Sequence, residues 1–213
     1  FSSQNIENGI AAMRNIAMDE GYMAANETVY NLLTYGKTLE QNVDGEKKSY
    51  NLQYIDWKHP ESNVFHVTEE FTVIRAGMKD TYRPDIVIFV NGIPLVVIEC
   101  KRPDVKDSIE QAISQHLRNQ KENGIRSLYM YSALLLSIAT SFASYGTTGT
   151  PEKFWSKWKE QFITSEEEKE HKSELFKLIN KPLLEEQRKK LFSSHYKYAE
   201  NYFMGIEANS VTQ

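Results

Sequence analysis

Pro84-Asp85 and Glu99-Cys100-Lys101 set two carboxylates and one amine at the outer ends of two adjoining apolar runs. Carboxylates on neighbouring strands, roughly 7–8 Å apart as diagonal neighbours, can converge on one hard divalent cation. Mg²⁺, or Mn²⁺ in its place, suits them because it takes oxygen ligands, keeps waters and accepts phosphate oxygens. The expected division of labour follows. Asp85 and Glu99 hold the cation, the backbone carbonyl of Cys100 adds a ligand, and the ion lowers the pKa of a water that attacks phosphorus. Lys101 orients that water or offsets charge gathering on the phosphate oxygens. Without a cation the two carboxylates repel each other, so at least one should resist ionisation. Taken singly, Glu-x-Lys at the end of a buried strand and Pro-Asp in a loop are ordinary structural features. Joined by one hairpin and followed by a capped helix, they point to chemistry.

Side chains alternate faces along a strand, so Glu99 and Lys101 share a face and Cys100 takes the other. Whether Asp85 joins them depends on the turn between the runs. Asn91-Gly92 is a strong hairpin signal. A two-residue turn there pairs Val90 with Ile93 and Asp85 with Ile98, on the wrong face. A three-residue turn over Val90-Asn91-Gly92 pairs Phe89 with Ile93 and Asp85 with Val97, which returns Asp85 to the face of Glu99. The three-residue form, or an equivalent bulge, is therefore expected.

The elements around this hairpin read as an α/β layer architecture, a central mixed sheet flanked by helices. Leu95 to Ile98 is apolar at consecutive positions, as in a strand covered on both faces. Helical spacing marks Ile6 to about Met18, and a second short helix runs from Glu27 to Leu33. Strands are expected over Lys48–Ile55, Val64–Val67 and Glu70–Ala76. Asp107 or Ser108 can cap a helix that carries Ile109, Ala112, Ile113 and Leu117 on one face and ends near Asn123-Gly124. A strand pair around Ser127–Tyr131 and Leu134–Ala139 resumes the sheet. After Gly149 the character changes: Pro151 opens a helical stretch with Phe154, Trp155 and Trp158, and Leu175–Phe192 again has helical spacing. The division expected is a core over 1–150 and a helical extension or connector over 151–213.

With 213 residues, 40% apolar and 12% aromatic, the chain can close one well-filled core without a second domain. No run approaches the roughly 20 apolar residues that span a bilayer, and Phe-Ser-Ser-Gln is no secretory signal. A cytoplasmic protein is expected, and a lone Cys100 fits a reducing compartment. The missing initial Met suggests a trimmed beginning. A net charge of −4 argues against a free-standing, sequence-blind DNA binder, which draws affinity from excess Lys and Arg. If this chain handles DNA, something else holds the DNA for it.

The unbroken block from Arg83 through Asp104 strongly resembles the nuclease core at the N-terminus of type I restriction R subunits (HsdR), a branch of the PD-(D/E)xK nucleases. The resemblance extends upstream through Ile55-Asp56-Trp57 and Pro60 and downstream through Tyr145-Gly146-Thr147 to Phe154-Trp155, about residues 26 to 160. It implies a restriction-endonuclease-like core with Asp85, Glu99 and Lys101 at the catalytic positions. It also implies metal-dependent cleavage of double-stranded DNA within a complex of methyltransferase and specificity subunits. ATP would act only through a motor domain of the same polypeptide, since no phosphate-loop signature occurs in this chain. Relatives carry a Gln-x-x-x-Tyr pair that helps position DNA. Gln115 matches the glutamine, but Asn119 stands where tyrosine would be, so an aromatic stacking surface is lost. A further N-terminal carboxylate is possible in such folds, with Glu7, Glu20 and Glu27 as candidates.

Competing readings are a nuclease-shaped domain that binds DNA or docks a motor without cutting, and a recombination or repair nuclease of the same superfamily. His59, His66, His116, His171 and His195 lack zinc spacing with the one cysteine and are assigned solvated or packing roles. Trp155 and Trp158, three apart, read as a buried helical stripe.

Overall fold

The computed structural model describes residues 1–102, 105–139, 142–159, 165–167, 169–170 and 173. One compact unit spans Phe1–Trp158, and a second spans Lys159–Gln213. The expected helix over Leu175–Phe192, and with it most of the predicted extension, lies outside the described residues.

Two helices open the first unit, α1 (Ser3–Arg14) and α2 (Tyr22–Tyr35). Ser2 caps α1 by accepting the backbone N–H of Asn5. A hairpin follows, β1 (Lys37–Val43) and β2 (Glu46–Leu52), turning on Asp44 and Gly45, both at positive φ. Then come β3 (Phe65–Glu69), the short pair β4 (Val73–Ile74) and β5 (Thr81–Tyr82), and the central hairpin β6 (Ile86–Val90) and β7 (Ile93–Lys101). Helices α3 (Ser108–Asn119) and α4 (Arg126–Tyr129) lead to β8 (Leu134–Ala139), β9 (Phe142–Gly146), a 3-10 turn over Glu152–Phe154 and β10 (Ser156–Lys157).

Six strands make one mixed sheet in the order β10-β9-β8-β7-β6-β3. Its only parallel pair among the described residues is β7 with β8, joined through α3 and α4 as a crossover requires. The α/β layer architecture is thus as expected, and it is that of a restriction-endonuclease-like core. Val97, Ile98 and Glu99 are buried in succession, the mark of a central strand. Beneath α3 and α4, Val87, Val97, Leu135, Ile125, Leu128 and Tyr129 form one apolar cluster. A second cluster joins α1 and α2, through Met13, Ala25, Val29 and Leu33, to Val90 and Ile93 at the turn end of the hairpin.

Several expectations are corrected. Ser127–Tyr131 is not a strand: its start lies in α4, and Ile125, Leu128 and Tyr129 bury at helical spacing. The partner of β8 is instead β9. Pro151 opens only a single 3-10 turn, after which β10 pairs with β9, so residues 151–158 complete the sheet. Trp155 and Trp158 therefore share no helix; Trp155 packs on the apolar cluster and Trp158 is exposed. Helix α3 ends at Asn119, short of Asn123-Gly124, and Asp107 stands at its N-cap without a side-chain capping bond. Ala112 and Ile113 are buried as expected and Ile109 and Leu117 half-buried, but α3 also buries the polar His116 and Asn119. No described helix is long and apolar enough to cross a membrane.

Candidate active site

The central hairpin decides whether its acidic groups meet. Its turn is the two-residue form, Asn91 and Gly92 both left-handed, with Val90 opposite Ile93. Taken alone, this would send Asp85 to the wrong face. One step on, Phe89 pairs with Pro94 while Ile88 pairs with Val96, so Leu95 is an extra residue in β7 and forms a bulge. The bulge reverses the parity: Ile86 faces Ile98, and one further step sets Asp85 across from Glu99. Of the two devices expected, the bulge operates and the three-residue turn does not. Asn91 anchors the turn, its side chain accepting the N–H of Val64 at 2.8 Å and donating to the carbonyl of Tyr54 at 2.9 Å.

Asp85 follows the buried Pro84, and its Oδ2 accepts the backbone N–H of Cys100 at 2.7 Å. Glu99 is fully buried. Its carboxyl is raised from the ordinary 4.5 to about 8, chiefly by burial and next by the charge of Asp85 and a hydrogen bond with it, against the opposing charges of Lys101 and Arg118. Glu99 is thus a carboxyl that resists ionisation.

Helix α3 holds the other side of the site. Gln115 bridges two site residues, donating from Nε2 to Glu99 Oε2 and accepting the Lys101 ammonium at Oε1 over 2.6 Å. Asn119, four residues on and 1% exposed, donates to Glu99 Oε1 at 3.3 Å. Its Nδ2 faces Glu99, and its Oδ1 accepts from the Arg118 guanidinium. Behind it lie Tyr129 and His116, both fully buried and hydrogen-bonded to each other at 3.0 Å. Sequence reasoning gives His116 a solvated or packing role and Tyr129 none. The signal for both is present in the helical spacing of His116 with Asn119 and of Tyr129 with Ile125.

The donor set fits a hard cation in its chemistry. Two adjacent carboxyl groups, one held protonated by burial and by its neighbour, are what an absent positive charge would release. Ser137, register partner of Glu99 on β8, is fully buried, and its hydroxyl has no hydrogen-bond partner. Among the described residues no three His, Cys, Asp or Glu side chains cluster, and Glu7, Glu20 and Glu27 are exposed. The Cys100 carbonyl, which follows directly on Glu99, is a backbone oxygen available beside the two carboxyl groups.

The family described as Type I restriction enzyme R protein N terminus matches residues 2–154, which include every residue of this site. The chain is 32% identical over 136 residues to the type I restriction enzyme HindI endonuclease subunit of Haemophilus influenzae, covering 63% of this chain and 12% of that one. It is 36% identical over 95 residues to the SsaAORF53P endonuclease subunit of Staphylococcus saprophyticus, covering 44% of this chain and 9% of that one. With the SauCOLORF180P endonuclease subunit of Staphylococcus aureus the identity is 38% over 82 residues, 38% of this chain and 8% of the other. The matched region is thus a small fraction of these relatives' length. Matched over most of its length, the chain belongs to the family of type I restriction enzyme R protein N termini.

Proposed function

We propose that this chain is the DNA-cutting domain of a type I restriction endonuclease subunit, hydrolysing phosphodiester bonds of duplex DNA with the help of Mg²⁺ or Mn²⁺. The observation that carries the reading is the bulge at Leu95, which sets Asp85 across from Glu99 and beside the N–H of Cys100. A bulge that restores one side chain to a shared face is a costly local feature with a use. A bound divalent cation supplies Lewis acidity and a water that ionises near neutral pH.

The chain's own groups do the rest. Asp85 and Glu99 hold the cation together with the carbonyl of Cys100. Gln115 fixes Lys101 by one of the three hydrogens on its ammonium, leaving two to meet a phosphate oxygen or the attacking water. Burial of Glu99 keeps water from competing for its oxygens. Asn119 is read as orienting Glu99 and not as touching DNA, since its amide is spent on that carboxylate.

The net charge of −4 favours a domain to which DNA is delivered. A motor domain in the same polypeptide would use ATP for that delivery, and methyltransferase and specificity subunits would choose the target. Work on DNA would proceed in the cytoplasm.

Calorimetric titration of the chain with Mn²⁺ tests the reading. Binding to the wild type and its loss in Asp85→Ala is the expected result. Equal binding by both would sink the assignment, and binding by neither would favour a docking domain that does not cut.

A further inference from the structure

Beneath Glu99 runs a chain of hydrogen bonds whose direction can be worked out from one end. The carbonyl of Leu136 on β8 can only accept, so the His116 Nε2 that lies 3.0 Å from it carries the proton. His116 is fully buried, and burial pushes its pKa down to about 4, so the ring is neutral and Nδ1 has only a lone pair. The hydroxyl of Tyr129, 3.0 Å away, must donate to it. A phenol has one hydrogen; towards Asn119 Nδ2, at 3.3 Å, its oxygen therefore accepts. Asn119 must then present its amino end both to Tyr129 and to Glu99 Oε1, and turn its carbonyl outward. There Nε and Nη2 of Arg118 meet that carbonyl at 3.4 and 3.2 Å. The opposite amide orientation would set NH₂ against the guanidinium and leave the Tyr129 oxygen facing a carbonyl with no hydrogen between them.

We infer that Asn119, Tyr129 and His116 are positioning residues for Glu99: a main-chain carbonyl of β8 dictates, through two side chains, which end of the Asn119 amide faces the carboxylate. All three side chains are at most 1% exposed, so no solvent can substitute for a missing link. With Asn119 on Oε1 and Gln115 on Oε2, both oxygens of Glu99 are held in one orientation. Mg²⁺ demands near-ideal ligand geometry, and outer partners of this kind tune metal affinity. The inference rests on the reading of Glu99 as a metal ligand.

Tyr129→Phe is the variant of choice. It keeps the buried ring and its edge contact with His116, centroids 5.8 Å apart, and removes only the hydroxyl. Mn²⁺ affinity measured by calorimetry should fall about 10-fold, the size usual for outer-shell partners. Val29→Ala, in the cluster under α1 and α2, serves as a packing control and should leave Mn²⁺ affinity unchanged whatever its melting temperature. A second measurement needs no metal: ¹⁵N spectra of the imidazoles should show His116 protonated at Nε2, with an Nδ1 resonance that moves in Tyr129→Phe. Wild-type affinity in Tyr129→Phe, or a proton on Nδ1 of His116, overturns the inference. A wild type that takes up no Mn²⁺ removes the metal reading of Glu99 instead, and the spectra then decide the direction of the chain by themselves.

Discussion

Asp85 and Cys100 are joined by a hydrogen bond of 2.7 Å between a carboxylate oxygen and a backbone N–H, across a register that a tight two-residue turn alone would forbid. The extra residue Leu95 makes that bond possible. Deleting Leu95 should restore strict alternation and turn Asp85 away from Glu99. We expect a folded chain by circular dichroism with no calorimetric uptake of Mn²⁺. Retained uptake would mean that the bulge is dispensable to the site.

Gln115 holds Glu99 and Lys101 at once, so its removal should damage the site more than its partial burial suggests. Gln115→Ala is expected to lower Mn²⁺ affinity about 10- to 100-fold, with only a small change in melting temperature. Calorimetry beside a thermal melt separates these effects. A large melting change with unaltered affinity would recast Gln115 as a structural residue.

How stability varies with pH should carry the signature of two buried groups of opposite sign. Glu99 is raised from its ordinary 4.5 to about 8, so the unfolded chain ionises first and metal-free stability falls as pH rises through that window. His116 is lowered from 6.5 to about 4, so protonation of the unfolded chain removes stability as pH falls through its own window. A tenfold change in proton affinity between the folded and unfolded chain is worth about 1.4 kcal/mol at most. Melting curves should therefore decline on the alkaline side for the wild type and be flatter for Glu99→Gln. A cation should restore stability most at the alkaline end. Parallel profiles for wild type and variant would contradict the raised carboxyl.

Much of this is legible in the sequence. Leu134–Ala139 is a strand with the bounds its apolar run suggests, and the consecutive burial of Val97 and Ile98 is readable as a central strand. That Asp85 must share a face with Glu99 can be argued from parity, but the choice between turn and bulge cannot, because Pro94-Leu95 carries no local mark of either. Of the first hairpin, β2 overlaps the strand expected over Lys48–Ile55, but β1 escapes a pattern search although Asp44-Gly45 is a strong turn signal, because its residues are too polar to show an apolar alternation. Ser127–Tyr131 reads wrongly as a strand because a short apolar run suits strand and helix alike. The inward face of α3 is hidden for a physical reason. Most buried polar residues are partnered, and the partners of His116 and Asn119 lie on elements distant in sequence.

The apolar layer that supports the site should be equally sensitive. Leu135 is fully buried, the register partner of Val97 and a member of the apolar cluster that includes Tyr129. Leu135→Ala should cost about 2–5 kcal/mol, read as a lowered urea midpoint. A loss under about 1 kcal/mol would indicate that the layer collapses to fill the space.

The central claim is that one cation sits between Asp85 and Glu99. Anomalous diffraction from a crystal of the chain soaked in Mn²⁺ tests it most directly. The account predicts a single strong peak within coordination distance, about 2.0–2.6 Å, of both carboxylates and of the Cys100 carbonyl. A peak elsewhere, with Asp85 and Glu99 bare, would contradict it.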